Sequence, residues 1–280
     1  MCKELVLVLV SLCLPAGLAA AASPPLDTAA ISDALGRSGQ TMDGGVYRVS
    51  FPRTDLHVTI GSTKLLPGFA LGGYAAFIPR DGGAVAVGDL VLLEDEIQPV
   101  MQALQRSGFE ITALHNHLRG ERPHVMYMHF MAAGSAGTIA KQLREALALS
   151  RTPLGPFTAA VPKTLGFQDA IESALGRKGK VSGSVLSFSV PPAAGVATAI
   201  NFEDAGSGNV ATTGDFVLLG SEVHAVEQTL LANGIQITAL HHHMIEDTPH
   251  LYYMHFWAVG PPSSVAAALA RALSHTNVKP

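Results

Sequence analysis

"GDLVLLEDEIQPVMQALQRSGFEITALHNH", residues 88–117, aligns without a gap on "GDFVLLGSEVHAVEQTLLANGIQITALHHH", residues 214–243. A duplication of this length makes internal repetition the first property of the chain. Within the block, Val91, Leu92 and Leu93 close an apolar run behind a Gly-Asp turn signal, as a buried strand does. Ile97, Val100, Met101 and Leu104 then recur three and four residues apart before Gly108, so 96–107 reads as an amphipathic helix with a glycine stop. Val223, Val226, Leu230 and Gly234 restate that helix in the second copy. "FEITALHNH" and "HVMYMHF", on either side of the turn "LRGERP", read as a hairpin, and Ser135 and Ser264 are placed to cap closing helices.

Working outward, "ALGRSG" (34–39) and "ALGRKG" (174–179) extend the correspondence, with fourteen additional residues in the first copy around "TDLHVTIGSTKLLPG". Upstream, "GGVYRVSF" and "YAAFIP" supply further strands. The order strand, helix, strand, strand, helix predicts an α+β fold: two tandem copies of a mainly antiparallel sheet with helices packed on one face. The expected boundaries are a signal peptide at 1–22, copy one at 24–150, a Pro-rich linker at 151–163 and copy two at 164–280. Arg37 and Arg177, in the two "LGR" segments, read as basic residues at helix ends.

The opening 22 residues combine Lys3, an apolar run from Leu5 to Leu14 and small residues through Ala22, the layout of a secretory signal. Both cysteines, Cys2 and Cys13, fall inside it, so the mature chain is expected to be exported, periplasmic or secreted, without disulfide or thiolate chemistry and without a membrane span. A formal net charge of −4 with no long basic run argues against nucleic acid as a partner. A small-molecule or cell-envelope ligand is expected instead.

Histidine is the compositional anomaly: nine of the twelve lie in the two hairpins, leaving only His57, His224 and His275 elsewhere. Because side chains alternate along a strand, His115 and His117 share a face, as do His241 and His243. Hairpin register decides the third member: His124 if it lies opposite His117, His129 if Val125 does. Three neutral imidazoles with an open position suit a divalent transition metal, zinc best of all. Glu121 and Asp247 are additional candidate ligands, and so are His124 and His250; Glu96 and Glu222 are better explained as acids favoured in a first helical turn. Met126, Met128, Met254 and Phe256 are expected in the core, with Tyr127 and Tyr253 free to line a pocket. The alternative to a metal site, with or without hydrolytic activity, is a non-catalytic cell-envelope ligand-binding or interaction module without metal.

No nucleophile elbow, phosphate loop or H-E-x-x-H segment is present, and "HNHLRGE" fits the first cupin motif only if the intervening helix is ignored. "GDLVLLEDEIQPVMQAL", "TALHNH" and "YMHF", carried twice by a chain with an export signal, resemble the bacterial family that includes the mycobacterial lipoproteins LppY and LpqO. That resemblance implies no established reaction. By position it favours His115, His117 and His129, with His241, His243 and His255, as the metal-binding sets. The chain departs from those lipoproteins in lacking a usable lipidation cysteine, and in carrying His242 where copy one has Asn116.

Overall fold

The computed structural model describes residues 24–158, 160–191 and 196–278; the segment read as a signal peptide lies outside them. In the first repeat, α1 (Thr28–Leu35) precedes β1 (Gln40–Thr41) and β2 (Tyr47–Pro52), and an insert holds β3 (Thr59–Ile60), β4 (Thr63–Lys64) and α2 (Pro67–Ala70). There follow β5 (Gly72–Arg80), β6 (Gly83–Leu93), α3 (Glu94–Arg106), β7 (Glu110–His115), β8 (Glu121–Arg122), β9 (Val125–Gly134) and α4 (Ala136–Leu147). The second repeat runs α5 (Gln168–Leu175), β10 (Lys180–Ser182), β11 (Val185–Val190), β12 (Thr198–Gly206) and β13 (Asn209–Leu219). It ends with α6 (Val223–Ala232), β14 (Gln236–His241), β15 (Leu251–Gly260) and α7 (Pro262–Leu273).

Each repeat builds a six-stranded antiparallel sheet of the same topology, ordered β1-β2-β5-β6-β9-β7 and β10-β11-β12-β13-β15-β14. The fold is therefore α+β, as the repeat pattern predicts. The fourteen-residue excess of copy one is the insert, whose β3 joins β4 and β8 in a small third sheet, so part of the expected "LRGERP" turn is a bridging strand.

Alternation in the strands separates two faces of each sheet. One face is covered by its own helices. In the first repeat Leu90, Leu92, Met128 and Phe130 meet Ile97, Val100 and Leu104 of α3 and Ile139, Leu143 and Leu147 of α4. In the second, Phe216, Leu218, Met254 and Phe256 meet Val226, Leu230, Leu269 and Leu273. Fully burying side chains of this size contributes roughly 1.5–3 kcal/mol each, which is why the helices take this side.

The opposite faces meet each other. Phe69, Leu71, Val91, Leu118, Val125 and Tyr127 of repeat one form a third apolar cluster with Val185, Ala211 and Trp257 of repeat two. Polar bonds cross the same junction: Leu66 N donates to Glu203 Oε2 at 3.0 Å, Asn116 Nδ2 to Thr238 O at 3.0 Å and Asn201 Nδ2 to Phe69 O at 3.2 Å. Apart from the short α2, whose Phe69 enters the junction, the helices thus lie outside and the two sheets inside, sharing one interior. Among the described residues no helix is long and apolar enough to cross a membrane.

Three local readings need correction. Ser264 does not cap α7: the helix starts two residues earlier behind Pro261, and Pro262 fits a first-turn position whose N–H has no helical partner anyway. Ser135 stands at the N-cap of α4, yet its hydroxyl makes no capping bond. Arg37 lies beyond the left-handed Gly36 that ends α1, and its buried guanidinium donates to Ser50 O, Pro153 O and Gly155 O, tying the interrepeat segment to the first sheet. Glu96 and Glu222 do belong to helix starts, accepting from Leu93 N at 2.9 Å and Leu219 N at 2.8 Å.

Candidate metal centre

The hairpin register settles which histidine joins each pair. Ala113 lies opposite His129 and His115 opposite Tyr127 in the first repeat; Ala239 lies opposite His255 and His241 opposite Tyr253 in the second. His129 and His255 therefore point out of the sheet on the same side as their pairs, toward the other repeat. His124 and His250 do not join. His124 Nδ1 is 2.6 Å from Glu121 Oε1, and His250 Nδ1 is 2.5 Å from Asp247 Oδ1, so these four secondary candidates pair with one another at the turns.

Sequence reading expects one triad per repeat, but the structure merges the two. His115 and His241 stack at 3.5 Å between ring centroids, His117 and His255 at 3.8 Å, and His129 and His243 at 3.8 Å. Each of these three stacks crosses from one repeat to the other. Ligand atoms of His115, His241, His243 and His255 all lie within 4.8 Å of one another, and so do those of His115, His117 and His129. His115 belongs to both groups, so the six rings form one cluster. Tyr127 and Tyr253 flank it, stacking on His117 at 3.4 Å and His243 at 3.5 Å.

The hydrogen bonds reveal which nitrogen is free. Nδ1 of His115 donates to Asn116 O at 3.2 Å, that of His241 to His242 O at 3.1 Å and that of His255 to Gly214 O at 3.0 Å; His129 is likewise bonded to the Gly88 backbone. A carbonyl can only accept, so in the first three Nδ1 carries the proton and Nε2 presents a bare lone pair. The Nε2 atoms of all six histidines are buried without a hydrogen-bond partner. Leaving such an atom unsatisfied costs about 1–3 kcal/mol. Backbone-anchored Nδ1 with a free Nε2 is also the usual way a ligating imidazole is oriented.

Two carboxylates border the cluster. Asp89 lies opposite His129 in the β6–β9 ladder, with oxygens 3.8 Å from His129 Nε2 and 3.9 Å from His117 Nε2. Asp215 holds the matching place on β13, 3.7 Å from His255 Nδ1 and 4.0 Å from His243 Nε2. Sequence reading misses both because "GD" reads as a turn signal. The dipeptide is in mid-strand, and the glycine is there for space: a Cβ on Gly88 would collide with the Phe130 ring and Tyr74 O, and one on Gly214 with Ala199 O. The available signal was recurrence, since the two aspartates repeat as faithfully as the histidines.

Burial dominates the electrostatics. It pushes the Asp89 carboxyl up to about 8, against a partial offset from Arg48, and pushes Asp215 well above its usual range with Asp89 adding to the effect. It lowers all six imidazoles, His115 to about 4, with charge repulsion among neighbouring rings secondary for most of them. Near neutral pH the rings are uncharged, as ligation requires.

An acid-stability prediction follows for the metal-free chain. The unfolded chain protonates its histidines near 6.5 while the folded cluster resists, so their contribution to stability is intact above 6.5 and is lost as pH falls toward 4. Asp89, raised when folded, acts in the opposite sense between its unfolded value and about 8, as does Asp215. Six groups outweigh two, so melting temperature should fall on acidification from pH 6.5 to 4.5. A flat profile over that interval would contradict the buried, neutral cluster.

His117, His129, His243 and His255 form the floor of an open cleft of about 700 Å³ between the sheets. Its walls carry Arg48, Ser50 and Tyr74 from repeat one and Ser189, Asn201 and Thr213 from repeat two. Fold and site together define a duplicated α+β protein whose halves jointly enclose a histidine-floored cleft. The chain belongs to the family described as Domain of Unknown Function (DUF1259), whose profile matches residues 29–149 and again 169–275. No curated protein matches it. Among solved structures, the trimeric bacterial microcompartment shell protein PduB is similar over 85% of this chain and 89% of its own, at 10% identity and a TM-score of 0.26. A structure described as an unknown protein from Galdieria sulphuraria is similar over 70% of this chain and 92% of its own, at 15% identity and a TM-score of 0.19.

Proposed function

We propose that this chain is an exported protein that binds a divalent transition metal, zinc by preference, at one centre built jointly by its two repeats, and that the centre serves metal-dependent hydrolysis in the cleft. The observation that carries this reading is the convergence of six buried, unpartnered Nε2 atoms. Packing or simple pH sensing gives no reason to aim six acceptors at one another; a cation does. An all-imidazole donor set suits zinc, copper, iron or nickel, and zinc accepts it while keeping a position open.

Bound there, the metal supplies Lewis acidity, polarising a carbonyl or phosphoryl oxygen. The chain's own groups would do the remainder. Backbone carbonyls fix the rings through Nδ1, and the carboxyls of Asp89 and Asp215, which burial keeps protonated near neutral pH in the metal-free chain, would ionise beside a bound cation and would then be placed to take a proton from water in the cleft. The layout of the first 22 residues and the likeness of the repeated block to LppY and LpqO support an extracytoplasmic setting.

Elemental analysis of untagged protein is the direct test. Wild type should retain about one equivalent of metal and the His115→Ala/His117→Ala variant almost none. Hydrolysis of generic ester, phosphate or glycan substrates should then stop with chelator and in His117→Ala. Protein that stays metal-free after incubation with zinc, copper, iron and nickel would end the proposal, and metal retention without turnover would reduce it to a binding module.

A further inference from the structure

The cleft's floor is duplicated, but its walls are not. Register gives the equivalences: Tyr74 and Ala199 lie opposite Asp89 and Asp215, while Ser50 and Ser189 lie opposite Tyr74 and Ala199. By the same ladders Arg48, opposite Ala76, corresponds to Ser187, opposite Asn201. Repeat one therefore raises an arginine and a tyrosine over its aspartate where repeat two has serine and alanine. Whatever those two side chains do, the symmetric cluster below does not require it.

Arg48 is half-buried, with its guanidinium carbon 4.2 Å from the Tyr74 ring centroid. Stacking on an aromatic face fixes the plane of the guanidinium and leaves its N–H edge free. Among the described residues no carboxylate lies within ion-pair distance of it, unlike Arg53 and Arg151, which bind Glu96 at 2.7 and 3.1 Å. Asp89 feels the charge of Arg48, which partly offsets the effect of burial on that carboxyl. A half-buried, pre-oriented, unpaired arginine on a cleft wall presents five donors to whatever enters. Ser50 and Ser189 add hydroxyls nearby, Asn201, which gives one N–H to Phe69 O, adds an amide, and the small Ala199 leaves room on the facing wall.

We infer that Arg48, braced by Tyr74, is an anion-recognition residue, and that the cleft takes a small substrate bearing a carboxylate or phosphate group, with that group toward repeat one and its reacting bond over the histidines. This deepens the hydrolytic reading above and rests on it for the reaction, though not for the anion. An anion here is also compatible with the charge balance of a metal-loaded floor.

Inorganic phosphate, titrated calorimetrically into the zinc-treated and the metal-free chain, tests the inference apart from the metal. Wild type should bind in both forms, and Arg48→Gln should weaken binding at least about tenfold while zinc affinity stays unchanged. Arg48→Lys, which keeps the charge but not the fork, should lose about fivefold or more, and it answers the same question should Arg48→Gln fail to fold. Acetate in place of phosphate distinguishes the two oxyanions, either of which supports the inference if Arg48 governs it. Phosphate and acetate affinities within twofold of wild type in the variants, or no binding of either anion to wild type, would overturn it. Failure of zinc binding alone would remove the metal reading and leave the anion site standing.

Discussion

Zinc at a thousandfold excess over its dissociation constant should raise the melting temperature of the purified chain by about 8–16 °C. That excess is worth about 4 kcal/mol of stability, and each kcal/mol moves the midpoint of a chain this size by about 2–4 °C. The rise should vanish in His115→Ala/His117→Ala, and equally in His241→Ala/His243→Ala. The reason is geometric: all three close ring stacks cross between repeats, and a ring nitrogen of His115 converges with those of His241, His243 and His255. Two independent centres predict instead that each double variant keeps about half the effect. Differential scanning fluorimetry across a zinc series decides between them, and an unshifted wild type would exclude both.

A second large effect is expected away from the cleft. Arg53 is fully buried and donates to Glu96 at 2.7 and 3.2 Å, to both oxygens of Asp55 at 2.9 Å and to Val91 O at 2.8 Å. Glu96, itself buried, also accepts from Leu93 N and Arg151 N at 2.9 Å. The network joins the insert, β6, the start of α3 and the interrepeat segment. Arg53→Ala should cost about 3–5 kcal/mol, chiefly by leaving the Glu96 charge buried without its main partner. Arg53→Met/Glu96→Leu should recover most of that, because removing both charges abolishes the desolvation penalty as well as the attraction. Urea denaturation reads both values; a loss under about 0.5 kcal/mol in the single variant would mean that Glu96 is adequately held by backbone donors.

Much of one repeat is legible in its own residues. The spacing of Ile97, Val100 and Leu104 announces α3, the alternation in "VMYMHF" announces β9, and the fourteen-residue excess marks the insert. Periodicity works there because each of these elements buries one face against its own repeat. It is silent on the other face, where Phe69 and Trp257 meet edge to face at 6.2 Å and the histidines meet their counterparts. Contacts between distant copies leave no spacing to read, so the cluster looked like two sites rather than one. Asp89, Asp215 and Arg48 are not legible for a different reason: a mid-strand Gly-Asp resembles a turn, and an isolated arginine on a strand resembles any solvated charge.

The placement of the centre on the junction constrains how such a chain could have arisen. A lone repeat would present three rings on an open sheet face, half of the histidine cluster beside an uncovered apolar patch. An ancestor with a single copy could have worked only by self-association about a two-fold axis, pairing identical faces as closed symmetric dimers do. Joining the two copies in one chain removes the requirement that the faces be identical, and the arginine-bearing wall is where they differ.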